Sequence, residues 1–211
     1  MMKSIAKYEE LQQYLNGKKV LLFDLDGTIA NTEPYHWKTY NLLLKKYNVE
    51  LKDNNIIKYI GNEEFFIYEM IKKDLGIEFD NHDFLKKRLE TYMELIIKEN
   101  LRPYEIIEQV IKEHDSDKYI LSSQRKNVIT QLLKKWDLIN NFKEIFSVPD
   151  SKVTKQEVIS NPDMFNVSNN DVVLFEDCSK YLKIASENNI LAVGVKNKYL
   201  PVENCDLLIE V

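Results

Sequence analysis

The sequence predicts an α/β fold: a mostly parallel sheet between helices, with an all-helical insert after the first core strand. Three observations predict it. Val20-Leu21-Leu22-Phe23 is a run of four apolar residues, which leaves no face for water and marks a strand buried on both sides. Beyond Pro103, short apolar runs alternate with amphipathic segments, the pattern of strands joined by crossover helices. Between these regions, residues 32–100 keep helical spacing and show no lasting strand alternation.

Taken in order, residues 5–15 place apolar side chains near helical spacing and predict a short first helix, which Gly17 ends. The strand at 20–23 runs straight into Asp24. The insert reads as helices over 33–47, 54–60, 63–75 and 82–99, a bundle of four-helix type, with Gly61, Gly76 and Asn81 as punctuation. After it come a helix at 104–113, a strand at 118–121 ending at Ser122, and a helix at 126–136. A strand at 144–148, a short helix at 155–159 and a strand at 171–175 ending at Glu176-Asp177 follow. A helix at 181–188 and strands at 191–195 and 206–211 close the chain. The expected organisation is a Rossmann-like core of residues 1–31 and 102–211, with a helical cap domain of residues 32–101.

At 211 residues the chain can bury one good core with a smaller inserted domain. Five Gly and five Pro leave no composition for a long flexible linker. The net charge of −5 lacks the basic excess that would suit nucleic acid or an anionic membrane, so neither is expected as a partner. Cys178 and Cys205 have no metal-type spacing and read as free thiols. Residues 1–16 lack the apolar run of a signal peptide, and a cytoplasmic protein is expected.

In open α/β sheets, ligands bind outside the carboxyl ends of the strands, so the polar residues after each buried strand matter most. These are Asp24 and Asp26, then Ser122 and Ser123, then the segment 150–155 with Lys152 and Lys155, then Glu176 and Asp177. Several carboxylates close together repel one another unless a cation sits among them. Oxygen-only ligands favour a hard ion such as magnesium. A lysine and a serine hydroxyl suit the oxygens of a phosphoryl group.

Phe23-Asp24-Leu25-Asp26-Gly27-Thr28 resembles the first motif of the haloacid dehalogenase superfamily. Ile120-Leu121-Ser122 is similar to its second motif, Lys155 to its third, and Leu174-Phe175-Glu176-Asp177 to its fourth. Asn31-Thr32-Glu33-Pro34-Tyr35-His36 resembles the entry to the helical cap of the beta-phosphoglucomutase-like phosphatases. The resemblance implies that Asp24 is a nucleophile forming an aspartyl-phosphate, and that Asp26 protonates the leaving oxygen and then activates water. Gly27 and Thr28 would approach the phosphate, and Ser122, with Ser123 beside it, would bind a phosphoryl oxygen. Lys155 would neutralise charge on phosphate and on Asp24, with Lys152 as the alternative lysine. Magnesium would be held by Asp24, the backbone carbonyl of Asp26, Asp177, and Glu176 directly or through water.

The resemblance implies two further cap positions. His36 would help to position the leaving group. Glu64, in Gly61-Asn62-Glu63-Glu64, would stand where the mutase carries an arginine for a second phosphate. An acid there disfavours a bisphosphate and suits a cationic or hydroxyl-rich leaving group, with Glu63 as an alternative. Arg88 is expected on a solvated basic face. The implied activity is hydrolysis of a small phosphomonoester (a sugar, polyol or amino-alcohol phosphate) by a monomer or weak dimer. A phosphomutase and a non-catalytic phospho-ligand module are the rivals; dehalogenation is disfavoured because Asp26 has no leaving oxygen to protonate there.

Overall fold

The computed structural model of the protein describes residues 2–52, 57–60 and 64–211. The chain divides into two compact units, Met1–Asn31 with Arg102–Val211, and Thr32–Leu101.

The first unit is built on strands β1 (Lys3–Ile5), β2 (Val20–Phe23), β3 (Asp117–Ser122), β4 (Glu144–Ser147), β5 (Val172–Glu176), β6 (Leu191–Val195) and β7 (Leu207–Ile209). They form one parallel sheet in the order β1-β7-β6-β5-β2-β3-β4. Its helices are α1 (Tyr8–Leu15), α5 (Glu105–Glu113), α6 (Lys126–Lys135), α7 (Lys155–Ile159) and α8 (Ser179–Glu187). The four residues of β2 and the five of β5 are all buried, as strands covered on both faces must be. One face packs Val20, Leu22, Leu121, Val172 and Leu174 against Val158 and Ile159 of α7 and Leu182 and Ala185 of α8.

Chain order runs outward from β2 through β3 to β4, then returns to the other side of β2 with β5. The crevice between β2 and β5 is therefore the topological switch point, where open α/β sheets bind ligands. Register aligns Phe23 with Phe175, whose rings stack at 4.5 Å, and so sets Asp24 beside Glu176. The Asp24 amide donates to the Phe175 carbonyl at 3.0 Å, extending the ladder by one residue.

The second unit contains α2 (Glu33–Leu44), α3 (Glu64–Leu75) and α4 (Asn81–Lys98). Its core is aromatic: Trp37, Tyr40, Tyr59, Tyr68 and Phe84 close around Leu44, Leu51 and Ile71. Asp80 caps α4, its carboxylate accepting from the Asp83 amide at 2.8 Å. Of the helix expected over 54–60, the described residues 57–60 form a tight turn rather than an α-helix; the rest of it, and Gly61, Asn62 and Glu63, lie outside the described residues.

Two elements differ from the sequence reading. Residues 3–5 form the edge strand β1 and the first helix begins only at Tyr8. Lys3-Ser4-Ile5 has one buried residue and no local strand signal, and its extended form comes from pairing with β7. The expected helix 33–47 stops at Leu44 and tightens into a 3-10 turn over Lys45–Tyr47, which ends at Asn48 with φ 56°. Among the described residues no helix is long and apolar enough to cross a membrane. Cys178 and Cys205 are free thiols.

Candidate active site

Three acids and one lysine meet at the carboxyl ends of β2 and β5. Lys155 Nζ lies 2.8 Å from Asp24 Oδ1 and 2.8 Å from Glu176 Oε2. Carboxylate oxygens of Asp24, Glu176 and Asp177 all lie within 4.8 Å of one another. Asp24, Lys155 and Glu176 are buried, and Asp177 is half-buried.

Local structure explains how the lysine arrives. Lys155 is the first residue of α7, and a capping box fixes that end. The Glu157 amide donates to Thr154 Oγ1 at 3.2 Å, and the Thr154 amide donates to Glu157 Oε2 at 2.7 Å. The five-residue helix is thus anchored at the point where its lysine must turn inward. Lys152, the alternative, is exposed; Lys155 is the lysine that the fold brings to Asp24.

Glu176 is fully engaged. Its Oε1 accepts from the amides of Asp177 and Cys178, both at 3.2 Å, while Oε2 takes Lys155. It orders the lysine and the loop that carries Asp177. Gly27 has φ +75°, and a Cβ there would stand 2.2 Å from Asp177 Oδ2. The position must be glycine both for its backbone and for the close approach of the acid. That approach is to Asp177, a contact the sequence reading reserved for phosphate.

The charges do not balance. Burial first, and then the Glu176 charge, push the Asp24 carboxyl up to about 7, against the pull of Lys155. Burial, followed by Glu176 and Asp24, holds the Asp177 carboxyl well above the usual carboxylate range. Burial by itself would lower the Lys155 ammonium, but Asp24 and Glu176 outweigh it and keep the amine firmly charged. One cation among three acids leaves a deficit that a divalent ion would fill. The donor set is oxygen throughout, which fits magnesium. Asp26 is half-buried; its charge acts on Asp24, and its carboxylate is not in the three-acid cluster.

Ser122 ends β3 and is buried, its hydroxyl oxygen accepting from the Gln124 amide at 3.1 Å, which leaves its proton to donate elsewhere. Ser123 is exposed. Thr28 is fully buried, with no hydrogen-bond partner for its hydroxyl among the described residues.

The helical unit corrects two expectations. Arg88 is buried rather than solvated, and its Nε pairs with Glu64 Oε1. The Tyr68 hydroxyl donates to the same oxygen at 2.7 Å. Glu64 is therefore not a free acid, because aromatic burial of Arg88 demands a counter-charge and Glu64 supplies it. His36 belongs to this unit too, with its ring stacked on Tyr92 at 4.4 Å and its Nδ1 3.2 Å from Arg88 Nη1. A guanidinium only donates, so Nδ1 accepts.

Sequence reasoning missed Asn197. It lies two residues beyond β6, and its Nδ2 donates to Asp177 Oδ2 at 2.9 Å. The rule that picked out Asp24 and Asp177, polar residues after buried strands, also reaches Asn197 once β6 is included. Asp150, in the polar segment 150–155, has a structural part. It accepts from the Lys126 amide at 2.7 Å and the Ser147 hydroxyl at 2.9 Å, tying α6 to the end of β4.

Residues 21–195 match the haloacid dehalogenase-like hydrolase family. The chain is similar to the fructose-1-phosphate phosphatase YqaB of Escherichia coli (strain K12), 23% identical over 184 residues that cover 83% of this chain and 95% of that protein. Its fold is similar to that of beta-phosphoglucomutase from Clostridium difficile, with a TM-score of 0.72, 20% identity and coverage of 92% and 91% of the two chains. It is also similar to that of CbbY from Rhodobacter sphaeroides in complex with phosphate, with a TM-score of 0.74, 15% identity and coverage of 90% and 93%.

Proposed function

The chain belongs to the haloacid dehalogenase-like hydrolase family, and on that premise we propose that it is a magnesium-dependent phosphatase of small phosphomonoesters with Asp24 as nucleophile. The observation that carries this reading is the buried Asp24–Lys155–Glu176 arrangement with Asp177 beside it. A buried acid held by a buried lysine, at the switch point of the sheet, has a counter-charge in place for the anion that a nucleophile must be.

The placement of these residues supports the following roles. An Asp24 oxygen attacks phosphorus and forms an O–P bond as the bond to the leaving oxygen breaks. Asp26, two residues on, gives that oxygen its proton. A water then attacks the aspartyl-phosphate, Asp26 takes its proton, and the Asp24 O–P bond breaks to release phosphate. Lys155 favours the ionised form of Asp24 against its burial, and offsets charge on the phosphoryl oxygens. Ser122 donates its free proton to one of them. Glu176 holds Lys155 and the Asp177 loop in place. Magnesium would be held by Asp24, Asp177, the Asp26 carbonyl and Glu176, directly or through water, and would neutralise the phosphoryl charge facing the nucleophile.

The substrate class proposed is a sugar or polyol phosphate, supported by the likeness to a fructose-1-phosphate phosphatase. Amino-alcohol phosphates lose ground, since the Glu64 carboxylate meant to receive an amine is paired with Arg88. That same pairing favours a second reading, a phosphomutase, because Glu64 no longer repels a second phosphate. One experiment separates them: sugar phosphates with magnesium, with and without a bisphosphate primer. Free phosphate in both arms supports the phosphatase, whereas primer-dependent isomerisation without phosphate release supports the mutase. Neither product from a broad panel of sugar, polyol, amino-alcohol and nucleotide phosphates would contradict both.

A further inference from the structure

Asp177 Oδ2 has two close neighbours, Asn197 and Gly27, and the first has no part in the roles above. The Asn197 side chain reaches back from the segment after β6 and donates from Nδ2 to Asp177 Oδ2 at 2.9 Å. Its own Oδ1 accepts from the Tyr199 amide at 2.8 Å and the Leu200 amide at 2.9 Å. Those two donors fix the amide orientation, so the atom facing Asp177 must be the NH2. The Gly27 backbone also stands so close to the same oxygen that a Cβ would come within 2.2 Å of it.

We propose that Asn197 is a positioning residue that clamps Asp177 Oδ2 against Gly27, so that Oδ1 is presented to the divalent cation. The inference rests on the magnesium reading of the three-acid cluster. Magnesium demands near-ideal octahedral geometry, so a ligand that rotates freely serves it poorly. An outer partner that fixes a ligating carboxylate typically alters metal affinity by about 10- to 100-fold when removed. Without Asn197, the half-buried Asp177 carboxyl would stay beside Glu176 and lose the donor that orders it. The competing explanation is purely local: Asn197 shapes the turn at 197–200, as asparagine side chains often do.

The test compares the unaltered protein with Asn197→Ala and Asn197→Ser, measuring magnesium affinity by calorimetric titration and unfolding temperature in EDTA. Serine can still hold the turn amides but is too short to reach Asp177. Magnesium binding weakened about tenfold or more in both variants, with kcat recovering at saturating magnesium, is the expected result. Unchanged magnesium affinity in either folded variant overturns the inference, even if the EDTA unfolding temperature drops, since that drop alone marks a turn-shaping residue. Wild-type affinity in Asn197→Ser decides the question against the clamp should Asn197→Ala not fold. Failure of the unaltered protein to bind magnesium would overturn the magnesium reading first and this inference with it.

Discussion

Lys155 and Asp24 meet as a buried ion pair, Nζ to Oδ1 at 2.8 Å, with side chains only 4% and 8% exposed. Their elements are far apart in sequence, and the pair exists because β2 and the capped start of α7 both end at the switch point. Removing the lysine leaves Asp24 and Glu176 buried without their shared counter-ion. Lys155→Met is expected to destabilise the magnesium-free protein by about 3–5 kcal/mol. It should also lower kcat roughly 100- to 1,000-fold. Denaturant unfolding in EDTA and steady-state kinetics check the two effects; a variant as stable and active as the parent would show that the pair has neither role.

Magnesium should stabilise the fold. At a hundredfold excess over Kd, a ligand specific for the folded state adds about 2.7 kcal/mol. The unfolding temperature should therefore rise with magnesium concentration, and Asp177→Asn should remove most of the rise. An unfolding temperature indifferent to magnesium would mean that the acid cluster does not take it.

Gly27 and Gly17 make a matched pair of tests. Both have positive φ, +75° and +77°, but a Cβ at Gly17 would meet nothing within 4 Å. Gly17→Ala should cost only the left-handed backbone penalty, about 1–2 kcal/mol, and leave magnesium affinity alone. Gly27→Ala should cost more and displace Asp177 as well, with loss of both magnesium binding and turnover. Equal magnesium affinity in the two variants would argue against the close packing of Gly27 on Asp177.

His114 gives a pH signature outside the site. Its Nδ1 accepts from the Ser116 amide at 3.2 Å, and its carbonyl accepts from buried Lys118. Burial first, and then the Lys118 charge, hold the imidazole below its ordinary 6.5. The folded state thus binds this proton less readily than the unfolded chain. Its stabilising effect is fully present above 6.5 and is lost as pH falls below 6.5 through the lower value of the folded state. Unfolding free energies between about pH 5 and 7 should fall less steeply for His114→Gln than for the parent. Identical slopes would assign the acid sensitivity to other groups.

Much of the core could be read in the sequence because its signals are local. Four apolar residues at 20–23 and the run 172–175 mark buried strands by themselves, and the polar residues that follow them are the site acids. Lys155 was separable from Lys152 only in three dimensions, where the Thr154–Glu157 capping box turns one lysine inward and leaves the other in water. β1 escaped notice because its extended form depends on a partner some two hundred residues away. The Arg88–Glu64 pair was hidden for the same reason: helical spacing says which face a residue is on, but not which charge on another helix will meet it. Asn197 carries an ordinary loop signature, and only its distance to Asp177 gives it a role.

The central claim is that Asp24 attacks the phosphoryl group. The most direct test measures phosphate release from a panel of sugar and polyol phosphates, with magnesium, by the parent and by Asp24→Asn, whose amide keeps the shape but not the nucleophile. The parent should release phosphate in a magnesium-dependent manner, and the variant should lose at least about a thousandfold in kcat while remaining folded. Full activity in the folded variant would contradict the account.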